Sequence, residues 1–535
     1  MSRRLPTLLL ALALLCPLLT ACGAAPDNPA AGPQVLRWSI EGMLAPPDVD
    51  PPLAGNSQQT MINSLIFGGL VRLDSRLNVR PFGAERWELS SNGMVYTFYL
   101  RPGLKFADGS PVVAGDFAYS LNRAFILDKS GGNAGYYLGN ITGSKAVSTG
   151  SSTTVSGIKV VDDGTLQISL DHPASYFLYQ LSYATSSVVP RKLVEQGGNW
   201  QARAFGIGPF VRAVTTDSNR LVLKPNPYYS FGKPGLDEID LIFYPAAHTA
   251  FADYQADRLD VMGTIAFDPN DVDAASKLDG YLQASQFNVT YLGFNNSRAP
   301  FDNAGVRQAL AQAVGKQTLA GNILSGLVIA ADTIIPPGMP GYNSAIQKLP
   351  FDLVTARSLL TAAGVKAGDT IRLTINDQDA SYLKVANYLQ QTWESNLGLK
   401  VQVDSTGLTS FNNNLNALTS DPQSSPLQIY LSVWSADYPD PQNFLSQQLR
   451  SGVGNNNGHF SNPQFDGLVD RADVETNAAE RLRLYSLAEQ IAVNQVGWLP
   501  LYYGKANALI NPRVKGLTYT AQGLQADDWA RVTTR

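Results

Sequence analysis

The chain has 535 residues, of which 44% are hydrophobic and 16% are charged, and its net charge is −4. Such a length is too great for one hydrophobic core, so two or three lobes are expected. The small net charge, without long basic or acidic runs, does not indicate a nucleic-acid partner.

The N-terminal segment is predicted to direct export. A short positive start and an apolar run too short to span a membrane are typical of a secretory signal peptide, here residues 1–21. Residues 19–22, Leu-Thr-Ala-Cys, resemble the lipobox of bacterial lipoproteins. In that interpretation Cys22 is lipidated and anchors the protein to the outer face of the cell membrane, with residues 22–33 as a flexible tether. Ordinary secretion is the alternative, and no disulfide is expected because the other cysteine, Cys16, lies within the signal peptide.

From Val35 onward, strand and helix patterns alternate, which favours α/β lobes with mixed sheets. The predicted strands cover residues 35–40, 95–100, 220–226, 238–244 and 399–403. The predicted helices cover residues 116–125 (with Asp116 as the capping acid), 303–316 (capped by Asn303), 382–398 (ending at Gly398), 463–472 and 479–494.

Residues for catalysis or metal binding are hard to find in this sequence. His172, His248 and His459 are far apart, and none has a second His or Cys at ligand spacing. A phosphate-binding loop and a nucleophile–base pattern are also lacking. We therefore expect no enzyme activity, no cofactor and no metal, and recognition of a ligand is the remaining prediction.

Several segments resemble the solute-binding proteins of peptide and nickel ABC transporters, from about residue 36 to residue 517. The strongest is residues 96–123, which looks like the signature segment of that family and is expected to be scaffold in the second lobe. Further similar segments, in order, are residues 206–210, 291–314, 336–342, 351–364, 434–445 and 460–472. Ala107 and Gly315 depart from the family pattern, at positions that look structural.

The resemblance implies an α/β fold of the periplasmic-binding-protein type (type II, cluster C), with three lobes and mixed sheets around a hinged cleft. Lobe I would combine residues 34–67, 206–289 and 500–535, lobe II would be residues 68–205, and lobe III residues 290–499. Two strands crossing between lobes I and III would form the hinge, and binding would close the cleft.

The resemblance also implies where a ligand binds. In the family's peptide binders, the acid of the motif Trp-Ser-Ala-Asp-Tyr-Pro-Asp-Pro holds the α-ammonium of the peptide, a role that falls on Asp437 here. A carboxylate in a closed cleft is a natural partner for an ammonium. Trp434 would supply a flat wall beside it, and Asp440 is expected to be a turn residue. The remaining predicted ligand-binding residues are Val433 and Ser435 on one strand, Tyr438, and Asn455 as a polar wall, with Asn456 as the alternative for that wall.

The resemblance further implies that an extended peptide lies between the lobes and pairs its main chain with protein strands on both sides. One partner would be the strand at residues 433–435. The register of the resemblance puts the second partner strand at Gly55, Asn56 and Ser57.

The sequence thus predicts a lipid-anchored monomer that delivers peptides to an ABC permease. The same fold binding an oligosaccharide, a nickel chelate, an opine or another small solute is the first alternative; Asp437 favours a peptide, because a neutral sugar needs no buried anion. A secreted hydrolase or a structural surface lipoprotein is the second alternative.

Overall fold

A computed structural model of the chain describes residues 32–263, 267–377, 379–521 and 523–535. The predicted signal peptide, Cys22 and most of the tether lie outside these residues. Residues 34–535 form one compact unit. Within the described ranges, none of the helices combines the length and the apolar character that a membrane span requires.

The strands of the described residues form one large mixed sheet, one four-stranded antiparallel sheet and two hairpin-like pairs. In chain order, the strands of the described residues are β1 (Val35–Glu41), β2 (Val71–Leu73), β3 (Val79–Pro81), β4 (Ala84–Leu89), β5 (Val95–Leu100), β6 (Ile158–Asp162), β7 (Thr165–Ser169), β8 (Phe210–Arg212), β9 (Arg220–Pro225), β10 (Glu238–Tyr244), β11 (Val261–Met262), β12 (Tyr281–Ser285), β13 (Asn288–Phe294), β14 (Val328–Ala330), β15 (Thr370–Asn376), β16 (Lys400–Thr406), β17 (Ile429–Ser435), β18 (Trp498–Ile510), β19 (Thr518–Thr520) and β20 (Gly523–Gln525).

The helices lie between the strands and cover the sheets. Over the same residues, the α-helices are α1 (Ser57–Ile66), α2 (Ala114–Leu127), α3 (Ala134–Leu138), α4 (Ser144–Ser148), α5 (Phe177–Leu181), α6 (Arg191–Glu195), α7 (Ala247–Gln255), α8 (Val272–Ala275), α9 (Ala304–Gln312), α10 (Lys316–Thr318), α11 (Leu353–Ala362), α12 (Ala380–Leu397), α13 (Leu408–Ser420), α14 (Ser446–Leu449), α15 (Pro463–Val474) and α16 (Ala478–Asn494).

Strand β18 connects the two halves of the large sheet. The strand order is β16-β15-β17-β13-β18-β11-β1-β10-β9-β8, and β12 and β14 also pair with β18. The first part of β18 pairs with β13 and β14, whereas its last residues pair with β11 and β12. One continuous strand of 13 residues therefore belongs to both halves of the sheet.

Among the described residues, the buried apolar side chains form four clusters. The largest combines side chains between residues 36 and 261 with side chains between residues 510 and 532, and it also includes Tyr438. Two further clusters lie on the half of the large sheet that contains β13, β15 and β17. A small fourth cluster lies around α7. The inclusion of Tyr438 means that the Pro-rich segment after β17 packs against the core of the N-terminal part of the chain.

The locally determined elements agree with the sequence predictions. Strands β5 and β10 have the predicted bounds, and the helix after Asn303 begins where the Oδ1 of that residue accepts the backbone N–H of Gly305 at 2.8 Å. Helix α12 ends at Gly398, which has a φ of +71° and is therefore in the left-handed region that favours glycine.

The prediction that Asp116 begins its helix is wrong in position. Helix α2 starts at Ala114, and Val113 precedes it in extended conformation. Asp116 lies in the first turn and its carboxylate accepts the backbone N–H of Val113 at 2.9 Å. Asp116 therefore accepts a backbone N–H at the start of the helix from within the first turn. A negative charge at this place also interacts favourably with the helix dipole.

Candidate ligand-binding site

A cleft of about 820 Å³ lies between the segment before α1, helix α3, the end of β17 and the C-terminal segment. This volume is in the range of pockets that enclose small ligands. Of the nine predicted ligand-binding residues, six line the cleft: Gly55, Asn56, Ser57, Ser435, Asp437 and Tyr438. Val433, Trp434 and Asn455 are not in its lining.

Asp437 is the acidic side chain in the cleft lining. Its Oδ1 accepts the hydroxyl of Tyr137 at 3.0 Å, and its Oδ2 accepts the hydroxyl of Tyr136 at 2.9 Å. The side-chain amide of Asn443 donates to the same Oδ2 at 3.0 Å. These donors are neutral, and no cation of the described residues is among the groups that influence this carboxyl. A carboxylate accepts about four hydrogen bonds, so capacity for a further donor is left.

The electrostatic setting of Asp437 is unfavourable for its charge. Burial raises the pKa of the carboxyl above its usual value, and the hydrogen bonds from Asn443, Tyr136 and Tyr137 lower it in part. Desolvation disfavours the ionised form of an acid unless an opposite charge is near. A cation that enters the cleft would therefore find a carboxylate that lacks a charged partner.

The local chain fold explains why Asp437 is held still. After β17 the chain bends, and Pro441 starts a short 3₁₀ turn over Pro441–Asn443 that is capped by the carboxylate of Asp440. Asn443 folds back from this turn and accepts the backbone N–H of Asp437 at 3.0 Å, while its amide contacts the carboxylate. Asp440 is thus a turn residue, as predicted, and it also pairs with the guanidinium of Arg481.

Strand β17 has an edge that is open over part of its length. It pairs with β13 from Ile429 to Ser435, but with β15 only at Ile429 and Tyr430. In the described part of the chain, no strand therefore covers the second edge of residues 431–435. Unpaired main-chain groups on such an edge are a template for an added strand.

Three of the predicted residues reach the cleft indirectly or from its border. Val433 is exposed on β17. The indole of Trp434 donates to the Oδ1 of Asn443 at 3.2 Å and packs on the core beneath the strand. Asn455 contacts the hydroxyl of Tyr136. Tyr438, which does line the cleft, is buried and donates its hydroxyl to Gln442 at 2.5 Å.

The prediction of a strand at Gly55, Asn56 and Ser57 is wrong. Ser57 is the first residue of α1, and the side chain of Asn56 caps that helix by accepting the backbone N–H of Gln59 at 2.9 Å. The backbone N–H of Gly55 donates to the side chain of Gln59 at 2.8 Å. The three residues are exposed at the cleft, but as a helix start, with extended backbone at Asn56.

The opposite charge in the cleft is that of Arg72, on β2. Its guanidinium lies over the rings of Phe82 and Phe231, at 5.7 and 4.9 Å from their centroids. Aromatic side chains form much of the surrounding lining, namely Trp38, Phe67, Phe82, Tyr137, Tyr183, Tyr229, Phe287, Tyr519 and Trp529. The cleft therefore combines apolar walls with one acidic and one basic side chain.

The sequence analysis missed four residues of this site: Asn443, Tyr136, Tyr137 and Arg72. Asn443 lies within the similar segment at residues 434–445, six residues after Asp437, and its proximity to the turn-forming prolines is a usable signal. The tyrosines are 300 residues from Asp437 in sequence, so no spacing rule brings them to it. Arg72 has no nearby acid in sequence except Asp74, which pairs with Arg80 instead.

Within the part of the chain that the structure describes, one group of potential metal ligands was found, and it lies outside the cleft. The side chains of His248, Asp268 and Asp271 put ligand atoms within 4.8 Å of one another. The Nδ1 of the exposed His248 lies 2.9 Å from both carboxylate oxygens of Asp271, so a hydrogen bond within the protein accounts for the contact.

Comparisons with known proteins agree with this architecture. A family model described as bacterial extracellular solute-binding proteins, family 5 Middle, matches residues 78–456. The oligopeptide-binding protein OppA of Bacillus subtilis is 29% identical over 495 residues, covering 89% of each chain. The probable deoxycholate-binding periplasmic protein YgiS of Escherichia coli is 30% identical over 505 residues, covering 92% of each. The unliganded open form of the murein tripeptide-binding protein MppA superposes with a TM-score of 0.81 at 24% identity, covering 93% of this chain and 98% of that one.

The fold is thus a mixed α/β fold of the periplasmic-binding-protein class. The chain belongs to the bacterial extracellular solute-binding proteins of family 5. This is a family of binding proteins rather than enzymes, and the protein is a solute-binding component of ABC import. The family and fold predicted from the sequence are confirmed.

Proposed function

We propose that this protein captures di- to oligopeptides in the cleft and delivers them to an ABC permease in the membrane. The proposal is carried by Asp437, a partly buried carboxylate in the cleft lining whose hydrogen-bond donors are all neutral. A peptide brings a constant cation, its α-ammonium, to every complex.

Binding of the peptide's ammonium would offset the unfavourable free energy of burying the Asp437 carboxylate. Burial of an unpaired carboxylate is unfavourable, whereas a charge-assisted hydrogen bond in the same place is strong. Tyr136, Tyr137 and Asn443 orient the carboxylate before the ligand arrives, which lowers the entropy lost on binding.

The open edge of β17 supports main-chain recognition of the rest of the peptide. An extended ligand that pairs with residues 431–435 would use hydrogen bonds that do not depend on side-chain identity. On the other wall, the helix start at residues 55–57 offers main-chain and side-chain groups rather than a second strand. Three other predicted residues would support the border of the site through hydrogen bonds. Tyr438 bonds to Gln442, Trp434 to Asn443, and Asn455 to Tyr136.

The lobe arrangement predicted from the sequence belongs to this proposal. Lobe I would consist of residues 34–67, 206–289 and 500–535, and it would move together with lobe II (68–205). Lobe III (290–499) would close on these two lobes. The chain passes between these parts at the β12–β13 connection and within β18, which supports a hinge there. Lipidation at Cys22 would keep the monomer close to the permease at the outer face of the membrane.

Calorimetric titration of the purified protein with the series from dialanine to hexa-alanine tests the proposal. We expect peptides with a free ammonium to bind and their N-acetylated forms to bind far more weakly. Asp437→Asn should remove roughly 2–5 kcal/mol of binding free energy, as expected when one partner of a buried charge pair is lost. The control variant Asp163→Asn changes an exposed acid in a turn and should bind as the unmodified protein does. Equal affinity for free and acetylated peptides, or no binding by any member of the series, would refute it.

An apolar solute that carries a carboxylate is a second candidate. The aromatic lining and Arg72 favour such a ligand, and the relative YgiS is described as a probable deoxycholate-binding protein. Titration with deoxycholate in the same experiment decides between the two, since the second candidate predicts tight binding that does not depend on Asp437.

A further inference from the structure

Arg72 is the cationic side chain of the cleft lining, and among the described residues it has no acidic partner. Its Nη2 donates to the backbone carbonyl of Asp527 at 3.0 Å, and Nε is enclosed without an acceptor. No ion pair and no further hydrogen bond of this guanidinium joins it to the described protein. An arginine at the border of a cavity with donors to spare can accept a ligand anion without breaking a salt bridge.

Two acids of the C-terminal segment, Asp527 and Asp528, are engaged elsewhere. The carboxylate of Asp527 accepts the backbone N–H and the hydroxyl of Ser75, at 2.6 and 2.7 Å. Asp528 pairs with Arg531, with 3.2 Å between Nε and Oδ2. Neither carboxylate contacts the guanidinium of Arg72, so its charge is not neutralised by a bound acid.

A second arginine adds to the positive charge at this end. Arg101 lies over the same Phe231 ring, at 4.6 Å from its centroid, and Arg72 lies at 4.9 Å. Burial raises the pKa of the neighbouring Tyr229 phenol to about 12, and the positive charges of Arg72 and Arg101 act against that rise. Arg101 does not line the cleft, so the anion-binding role falls on Arg72.

We infer that Arg72 binds a carboxylate of the ligand, so that the cleft selects dipolar molecules with an ammonium at Asp437 and a carboxylate at Arg72. The planar guanidinium matches a carboxylate in shape and charge, and the rings of Phe82 and Phe231 hold it in one orientation. The inference rests on the proposed function. It deepens that function by requiring a carboxylate, from either the C-terminus or an acidic side chain of the peptide.

The test compares the best-binding oligoalanine with its C-terminal amide by calorimetric titration. The unmodified protein should bind the free acid at least about tenfold more tightly, as expected for a hydrogen bond to a charged group. In Arg72→Gln this preference should disappear, whereas Arg72→Lys should keep part of it. Arg101→Gln is the matched control: it removes a cation from the same Phe231 ring but not from the cleft, and it should keep the preference. Thermal unfolding of each variant shows that the protein is folded.

A third ligand separates the two sources of the carboxylate. It is the peptide amide with one alanine replaced by glutamate. If it binds the unmodified protein as tightly as the free acid does, and loses this advantage in Arg72→Gln, the side-chain carboxylate is recognised. If only the free acid has the advantage, the C-terminus is recognised.

The failures of the two proposals differ. Equal affinity for acid, amide and glutamate amide, with a continued preference for a free ammonium, would overturn the role of Arg72 alone. If Arg72→Gln still bound the free-acid peptide more tightly than its C-terminal amide, the role of Arg72 would likewise be overturned. No binding by any of the peptides would overturn the proposed function and this inference with it.

Discussion

The buried carboxylate of Asp440 forms two parallel hydrogen bonds with the guanidinium of Arg481, at 2.8 Å to Nη1 and 2.5 Å to Nη2. Their side chains are 1% and 9% exposed. Asp440 ends the bend that begins after Asp437, and Arg481 lies on α16. The pair therefore attaches the turn that holds Asp437 to a long helix.

Loss of Arg481 should destabilise the fold strongly. Arg481→Met leaves the carboxylate of Asp440 buried without a counter-ion, so the free energy of unfolding should fall by about 3–5 kcal/mol. The control Arg483→Met removes a solvent-exposed partner of Glu480 on the same helix and should change it by less than about 1 kcal/mol. Urea unfolding of both variants gives the comparison, and similar losses in the two would contradict the structural role of the buried pair.

Peptide affinity should depend on pH through Asp437. Because the fold raises the pKa of this carboxyl above 3.8, the carboxylate becomes protonated at a higher pH than an ordinary aspartate. Ammonium binding should therefore weaken as the pH falls through that raised pKa, and calorimetric titration over pH 4–8 would show it. Tyr137→Phe removes a hydrogen-bond donor that lowers the pKa of Asp437, so the pH at which peptide affinity declines should rise in this variant. The control Tyr119→Phe changes a tyrosine outside the cleft lining and should leave that pH unchanged. A pH-independent difference between free and acetylated peptides would contradict this.

The same carboxylate should cost stability in the absence of ligand. With its pKa raised in the folded state, Asp437 contributes stability below the pKa of the unfolded chain and loses it as the pH rises through the folded pKa. Asp437→Asn should therefore be more stable than the unmodified protein at pH 7 and equal to it near pH 3. Urea unfolding at the two pH values tests the sign, and a destabilised variant at pH 7 would oppose it. A gain in stability with a loss of binding is the usual trade-off at a ligand site.

Glu489, which is not among the cleft-lining residues, gives a second pH dependence. Its Oε1 accepts the backbone N–H groups of Ile334 and Ile335 at 2.8 Å, its Oε2 has no hydrogen-bond partner among the described residues, and burial raises its pKa from 4.5 to about 8. Between pH 4.5 and about 8, Glu489 is protonated in the folded state but ionised in the unfolded chain. The free energy of unfolding should therefore fall by a few kcal/mol as the pH rises from 5 to 9.

Replacement of Glu489 isolates this effect. Glu489→Gln keeps the acceptor for both N–H groups and has no charge, so the decline in the free energy of unfolding between pH 5 and pH 9 should become smaller. Glu85→Gln, at an exposed position of β4, serves as the control and should keep the full decline. Parallel curves for all three proteins would show that Glu489 is not the titrating group.

Pairing of the ligand backbone with β17 should be sensitive to N-methylation. A methyl group on one amide of the best-binding oligoalanine removes a main-chain donor and leaves both termini unchanged. Methylation at an amide that pairs with residues 431–435 should weaken binding by about 0.5–1.5 kcal/mol or more, the usual net value of a hydrogen bond. A scan of each amide in turn would locate the pairing. Tolerance of methylation at every position would argue against an added strand.

The fold was predictable from the sequence where local chemistry determines the element. Asn303 and Gly398 mark helix ends because side-chain capping and left-handed backbone need few residues. The alternation in residues 238–244 correctly predicted β10. The start of α1 also has a local signal, because Asn56 and Gln59 have the spacing of a helix-capping pair, whereas the resemblance predicts a strand at this place.

The site was only partly predictable, for a physical reason. Asp437 and its turn are encoded within ten residues, so a motif predicts them. The contact with Tyr137 depends on how separate parts of the chain pack, and no periodicity reports it. The position of Arg72 beside Phe231, rather than beside an acid, likewise follows from tertiary packing. Proximity between distant segments was therefore the missing information.

Strand β18 has a consequence for how the molecule is made. Strands β12 and β14 find their ladder partner only in β18, within the described residues, and they precede it by more than 150 positions in the chain. During synthesis and export, neither segment can complete its hydrogen bonding until residues 498–510 have emerged. We therefore expect an unfinished molecule to remain sensitive to proteases at both places until β18 docks against β12 and β14 late in maturation.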